Sequence, residues 1–175
     1  MQRYHRLSMF FHWLIALLII AAFTLGSVMV DMRISPTKLQ YFSWHKWMGV
    51  TILALVALRL MTRLLKGAPA YPDTMKPWEK QVANGTHVIL YLLMFAVPLS
   101  GYFYTSAAGY PVVYLGLFEL PTIIGPNPEL KPILKELHEI LTTVILVVVG
   151  LHVAAALKHR FINKDKIFQR MLPGK

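Results

Sequence analysis

The sequence predicts an all-α integral membrane protein, an up-down bundle of four helices. Three observations predict it. Hydrophobic residues fill 56% of the 175 positions and the mean hydropathy is +0.52, more apolar than soluble chains of this size. Apolar runs long enough to cross a bilayer recur four times between polar or Pro- and Gly-rich stretches. Lysine and arginine alternate between dense and sparse from one connecting stretch to the next, as they do when helices pass back and forth.

The first helix is expected over residues 8–30. Met9 to Val30 carries no charge and only His12 near its start. The run is longer than a signal-peptide core and no small-residue cleavage site stands out after it, so it reads as a span. A short loop with Pro36 leads to a second helix over residues 44–65, with His45 and Lys46 at its start and Arg59, Arg63 and Lys66 at its end. Its uncharged middle is short, so these arginines are expected to reach toward a headgroup region.

Pro69, Pro72 and Pro77 mark the next loop. Gln81 to Phe118 is free of charge, and the third helix is expected over residues 82–104, with His87 in its first turns. Pro98 and Gly101 suggest a kink or a close helix contact there. The Pro- and Gly-rich stretch from Ala107 to Glu136 reads as a structured loop outside the membrane, with an aromatic segment around Tyr110 to Phe118. The fourth helix is expected over residues 137–159, followed by a basic tail. No repeat or separate soluble domain is visible, so residues 1–175 read as one transmembrane domain.

Thirteen of the eighteen lysines and arginines fall on one side of this plan, among them Arg3, Arg6, Arg63, Lys80, Lys158 and Lys175. Only Arg33, Lys38, Lys46, Lys131 and Lys135 fall on the other. The asymmetry predicts that both termini and the middle loop lie in the cytoplasm. The net charge of +10 flanks apolar spans and forms no soluble patch, which argues against nucleic-acid binding. With no cysteine, disulfides, iron–sulfur clusters, zinc–thiolate sites and covalently attached c-type haem are excluded.

The histidines carry the chemistry. His138 and His152 are fourteen residues apart in the fourth helix, close to four turns, so they share one face roughly 21 Å apart along the axis. Ionisable groups within membrane spans face the bundle interior and mark function. The topology puts His45 and His138 at the outer level. His12 and His152 lie at the inner level, with His87 and His159 close to them. Two level-matched pairs across a bilayer are what two bis-histidine haems need. Gly49, Gly150 and Ala154 to Ala156 are small enough to admit a macrocycle between helices. A histidine at a helix start also serves as a cap, and His5 is read that way. No carboxylate is expected at these depths to complete another kind of metal site.

These residues also carry a family resemblance. The pieces are R-x-x-x-x-x-HW at Arg6 to Trp13, HKWMG at His45 to Gly49, RLMTRL at Arg59 to Leu64, and HVILYLL at His87 to Leu93 with P-x-x-G at Pro98 to Gly101. LHE at Leu137 to Glu139 and GLHVAAALKH at Gly150 to His159 complete them, the last being the most specific. The chain resembles the bacterial cytochrome b561 family over nearly its whole length, in particular its superoxide oxidase type.

The resemblance implies two haem b groups, held by His12/His152 on the cytoplasmic side and His45/His138 on the periplasmic side. It implies oxidation of superoxide, with electrons delivered to ubiquinone. Lys46 is then the expected cation for superoxide. His87, His159 and Trp78 are expected at the quinone and proton end, with His87 competing with His12 for the inner iron. Two other functions stay open: a cytochrome b subunit exchanging electrons between the quinone pool and a protein redox partner, and a haem-free membrane transporter or scaffold. The expected partners are membrane lipid, quinone, and superoxide or a protein electron donor.

Overall fold

A computed structural model describes residues 3–172. Four long helices make up most of it: α1 (Arg6–Asp31), α2 (Pro36–Lys66), α3 (Pro77–Ala107) and α4 (Leu130–Phe161). Each is long and apolar enough to span a membrane. At 1.5 Å per residue, the 31 residues of α2 or α3 run roughly 46 Å, so their ends project beyond a hydrocarbon core of ~30 Å.

Every helix is longer than its apolar run, because local signals start it in polar sequence. His5 caps α1, its Nδ1 accepting from the Leu7 amide at 3.3 Å. Ser35 caps α2, accepting from the Lys38 amide at 3.2 Å, with Pro36 preset at the first helical position. Pro77 opens α3 in the same way, and the Glu79 carboxylate accepts from the Lys76 amide at 3.2 Å. Asn127 Oδ1 takes the amides of Glu129 and Leu130 ahead of α4. Gly67, at φ +71°, closes α2 by donating to the Arg63 carbonyl at 2.9 Å.

The helices follow one another up and down. α1 packs on α2, α2 on α3 and α3 on α4. The buried centre is small: Ile15, Ala22, Ile52 and Val56, flanked by residues such as Leu18, Met48 and Phe95. Most large apolar side chains, including Leu17, Ile20, Leu92 and Leu151, point outward, as lipid-facing residues do. Among the long helices α4 packs closely on α3 alone, and Ile145 is its only buried residue.

Both described chain ends meet at one end of the bundle. The Tyr4 amide donates to the Arg170 carbonyl at 3.3 Å, and the Trp13 indole donates to the Met171 carbonyl at 2.8 Å. Lys175, counted above among the inner-side cations, lies outside the described residues. The opposite end carries a two-stranded antiparallel hairpin, β1 (Val113–Tyr114) with β2 (Phe118–Glu119), inside the long loop. Its tight turn uses Gly116 at φ +74°.

Candidate functional site: two histidine pairs inside the bundle

The early helix starts decide where the histidines lie. His12, His45, His87 and His138 sit between six and ten residues inside their helices, two to three turns from the end. The expectation that His87 occupies the first turns of α3 is therefore corrected. Pro77 starts the helix ten residues before it and carries it into the bundle.

At the hairpin end the rings of His45 on α2 and His138 on α4 face each other, centroids 6.3 Å apart and planes nearly perpendicular at 89°. His45 Nδ1 lies 3.0 Å from the Ala22 carbonyl, and His138 Nδ1 lies 3.1 Å from the Val97 carbonyl. A carbonyl can only accept, so each Nδ1 carries the proton and each Nε2 keeps its lone pair. Ser100 Oγ sits 3.0 Å from His138 Nδ1 and also donates to the Val97 carbonyl at 2.8 Å, bracing the same ring.

Two glycines make room for these rings. A Cβ on Gly26 would stand 3.1 Å from His45 Cε1, and one on Gly101 would stand 3.0 Å from His138 Cε1. Gly49 and Gly150 have open space where a Cβ would point.

Nearer the chain ends, His12 on α1 and His152 on α4 repeat the separation, with centroids 6.3 Å apart at 74°. His87 on α3 approaches His152 more closely, at 5.6 Å, and its Nδ1 is buried without a partner. The structure thus gathers three imidazoles at this level and two at the other. His138 and His152 hold the two levels roughly 21 Å apart along α4.

The other predicted site residues are placed as follows. Lys46 Nζ donates to the Pro111 carbonyl at 3.3 Å, which ties it to the hairpin loop. Trp78 is exposed at the start of α3, with the Lys158 ammonium 5.9 Å from its ring centre. Lys158 also pairs with Glu79 at 2.9 Å. His159 does not join the ring cluster. Its Nδ1 is 2.6 Å from Asp165 Oδ2, and Asp165 Oδ1 accepts from the Ile167 amide at 3.0 Å. In the neighbouring loop Tyr71 donates to Asn84 Oδ1 at 2.8 Å, and burial pushes its hydroxyl pKa up.

A model of the family described as prokaryotic cytochrome b561 matches residues 3–174. The chain belongs to that family. "Cytochrome b561 homolog 2" of Escherichia coli K12 is 32% identical over 98% of this chain and 92% of its own length. "Probable superoxide oxidase CybB" of Yersinia pestis is 30% identical over 99% of the chain and 98% of its own length. "Cytochrome b562" of Cereibacter sphaeroides is 27% identical over 97% and 94%. The chain is therefore a multi-pass membrane cytochrome of the b type, binding haem b and working in electron transfer.

The histidine geometry fits that cofactor. Two imidazoles that shared one metal between them would have ring centroids roughly 6 Å apart, taking metal–nitrogen distances of ~2.0–2.1 Å. The 6.3 Å pairs match this separation, and the 5.6 Å contact of His87 is shorter. Sequence reasoning missed Gly26, Ser100 and Asp165, whose contacts the local pattern does not show. Gly101 was read as marking a kink or a close helix contact, and the contact is with the His138 ring.

Proposed function

We propose that this cytochrome holds two haem b groups, one between His45 and His138 and one between His12 and His152. We further propose that it passes electrons from superoxide at the hairpin end to ubiquinone at the other. The observation that carries the reading is the repetition of one imidazole separation, 6.3 Å, at two levels of the bundle. Membership of a prokaryotic family supports the bacterial inner membrane, and the lysine and arginine distribution supports chain termini on the cytoplasmic side.

Held between two imidazoles, haem b would supply a one-electron couple suited to outer-sphere transfer. The chain's own residues do the rest. The Nδ1 bonds of His45 and His138 fix their tautomers and leave each Nε2 with the lone pair that would hold the iron. Lys46 provides positive charge beside the outer level, where an anion would be drawn. At the opposite end Trp78 offers an apolar face to the quinone. Asp165 orients the His159 imidazole toward its proposed role as proton donor to the quinone, and His87 lies between that end and His152. The balance closes: two superoxide anions lose one electron each to give two oxygen molecules. Ubiquinone takes both electrons and two protons to give ubiquinol.

One observation favours a second reading, electron exchange with a protein partner. The hairpin exposes Tyr110, Leu117 and Phe118, a surface a redox protein could dock on. A single experiment separates the two. Purified protein in quinone-containing liposomes is mixed with a pulse of superoxide, and ubiquinol is followed by absorbance. Fast decay of superoxide with one ubiquinol per two anions supports the proposal. Decay at the spontaneous rate with the quinone still oxidised overturns it.

A further inference from the structure

Arg59 is charged, belongs to a membrane-spanning helix and is only 8% exposed. It was expected to reach for the headgroups, but it turns into the bundle, where Nη1 donates to the Ser8 carbonyl at 2.8 Å. One backbone oxygen uses one of its five N–H donors and neutralises nothing. Among the described residues three ion pairs form, Lys135–Glu139, Lys158–Glu79 and His159–Asp165, and none involves Arg59. Burying an unpaired guanidinium is costly enough that such groups are normally found with an anion.

The surroundings show where the anion would come from. Arg59 lines a small cavity with Tyr4, Ser8, Arg63 and Tyr91. Ser8 is buried and its Oγ has no partner. Ser8 stands one turn from His12 on α1, and Tyr91 one turn from His87 on α3, so the cavity adjoins the inner histidine level. A second cation, Arg63, sits over the Tyr91 ring at 5.9 Å. The site thus combines a buried, planar, two-pronged donor, a free hydroxyl and extra positive charge, which together suit a carboxylate.

We propose that Arg59, with Ser8, anchors a propionate carboxylate of the inner haem. This rests on the reading that a haem lies between His12 and His152. The arginine then supplies the charge that the carboxylate lacks, and the carboxylate removes the cost of burying the arginine.

The test uses the purified holoprotein and its Arg59→Gln and Arg59→Lys variants. Redox titration gives the two midpoints, and a haem scavenger gives the rate at which each haem is lost. The His152→Ala protein identifies which signal is the inner one. Arg59→Gln is expected to lower the inner midpoint, since removing a cation favours the ferric state. It is also expected to speed inner-haem loss about tenfold or more, the scale of a lost charge-assisted hydrogen bond. The outer haem stays at its wild-type values and reports that the bundle is folded.

Arg59→Lys keeps the charge and is expected to fall between the two. If Arg59→Gln does not accumulate, faster inner-haem loss from Arg59→Lys supports the anchor, and loss at the wild-type rate overturns it. Inner haem held as tightly as in wild type in Arg59→Gln, or both haems shifting alike, also overturns the anchor. Wild-type protein with no inner haem would instead sink the reading beneath it.

Discussion

At the scale of single residues, the outer site depends on atoms that are missing as much as on atoms present. Gly101 lies against His138, and a side chain there would start 3.0 Å from the ring. In Gly101→Val the ring must move from its bond to Val97. The prediction is loss of the outer haem signal, with the inner signal kept, in a reduced-minus-oxidised spectrum. Asp165 is the second residue whose role follows from a contact. It holds His159 Nδ1 at 2.6 Å, as a carboxylate orients a functional imidazole. Asp165→Asn should lower the rate of quinone reduction about tenfold, on the scale of an orienting partner, while the haem content stays at the wild-type value.

Neither residue could be read from sequence in this role. Gly101 meets a histidine 37 positions later in the chain, and Ala22 reaches His45 across 23. Such contacts depend on how two helices rotate and slide against each other, which periodicity does not fix. The histidines themselves were legible. An imidazole in an apolar span has few reasons to be there, and a fourteen-residue spacing on one helix is a geometric statement in its own right.

At the scale of elements, the four spans were legible from their apolar runs but their ends were not. The helices start as early as Pro36, Pro77 and Leu130 because caps and first-turn prolines work in polar sequence, outside the membrane. The difference of seven or eight residues on α2 and α4 moves His45 and His138 from the rim to the interior. The long loop was expected to be structured with an aromatic segment, and its form is a hairpin docked on α2. The Trp47 indole donates to the Val113 carbonyl at 2.6 Å, and Thr51 Oγ1 lies 2.9 Å from the Tyr114 hydroxyl. Each bond contributes about 1 kcal/mol. A Trp47→Phe, Tyr114→Phe protein should release the hairpin without melting the helices. Limited proteolysis checks this: cleavage within residues 108–126 should be faster than in wild type, with unchanged helical circular dichroism.

At the scale of the whole molecule, α4 is the common rail. It packs closely on α3 only and presents His138 and His152 to α2 and α1, so both pairs use it. It also sets the order of sites along the proposed path. Positive charge at Lys46 stands at one end, the two levels follow roughly 21 Å apart, and Trp78, His159 and Asp165 stand at the other. The proposed two cofactors would give each half-buried imidazole pair a task, and a single one would leave a pair without.

The most direct measurement is therefore a haem count on purified protein and its His152→Ala variant, by the pyridine haemochrome assay against chain concentration. The account predicts two haem b groups per chain in the wild type. It predicts one in the variant, with the remaining signal lost when His45→Ala is added. One haem per chain in the wild type, or two retained in His152→Ala, would contradict it.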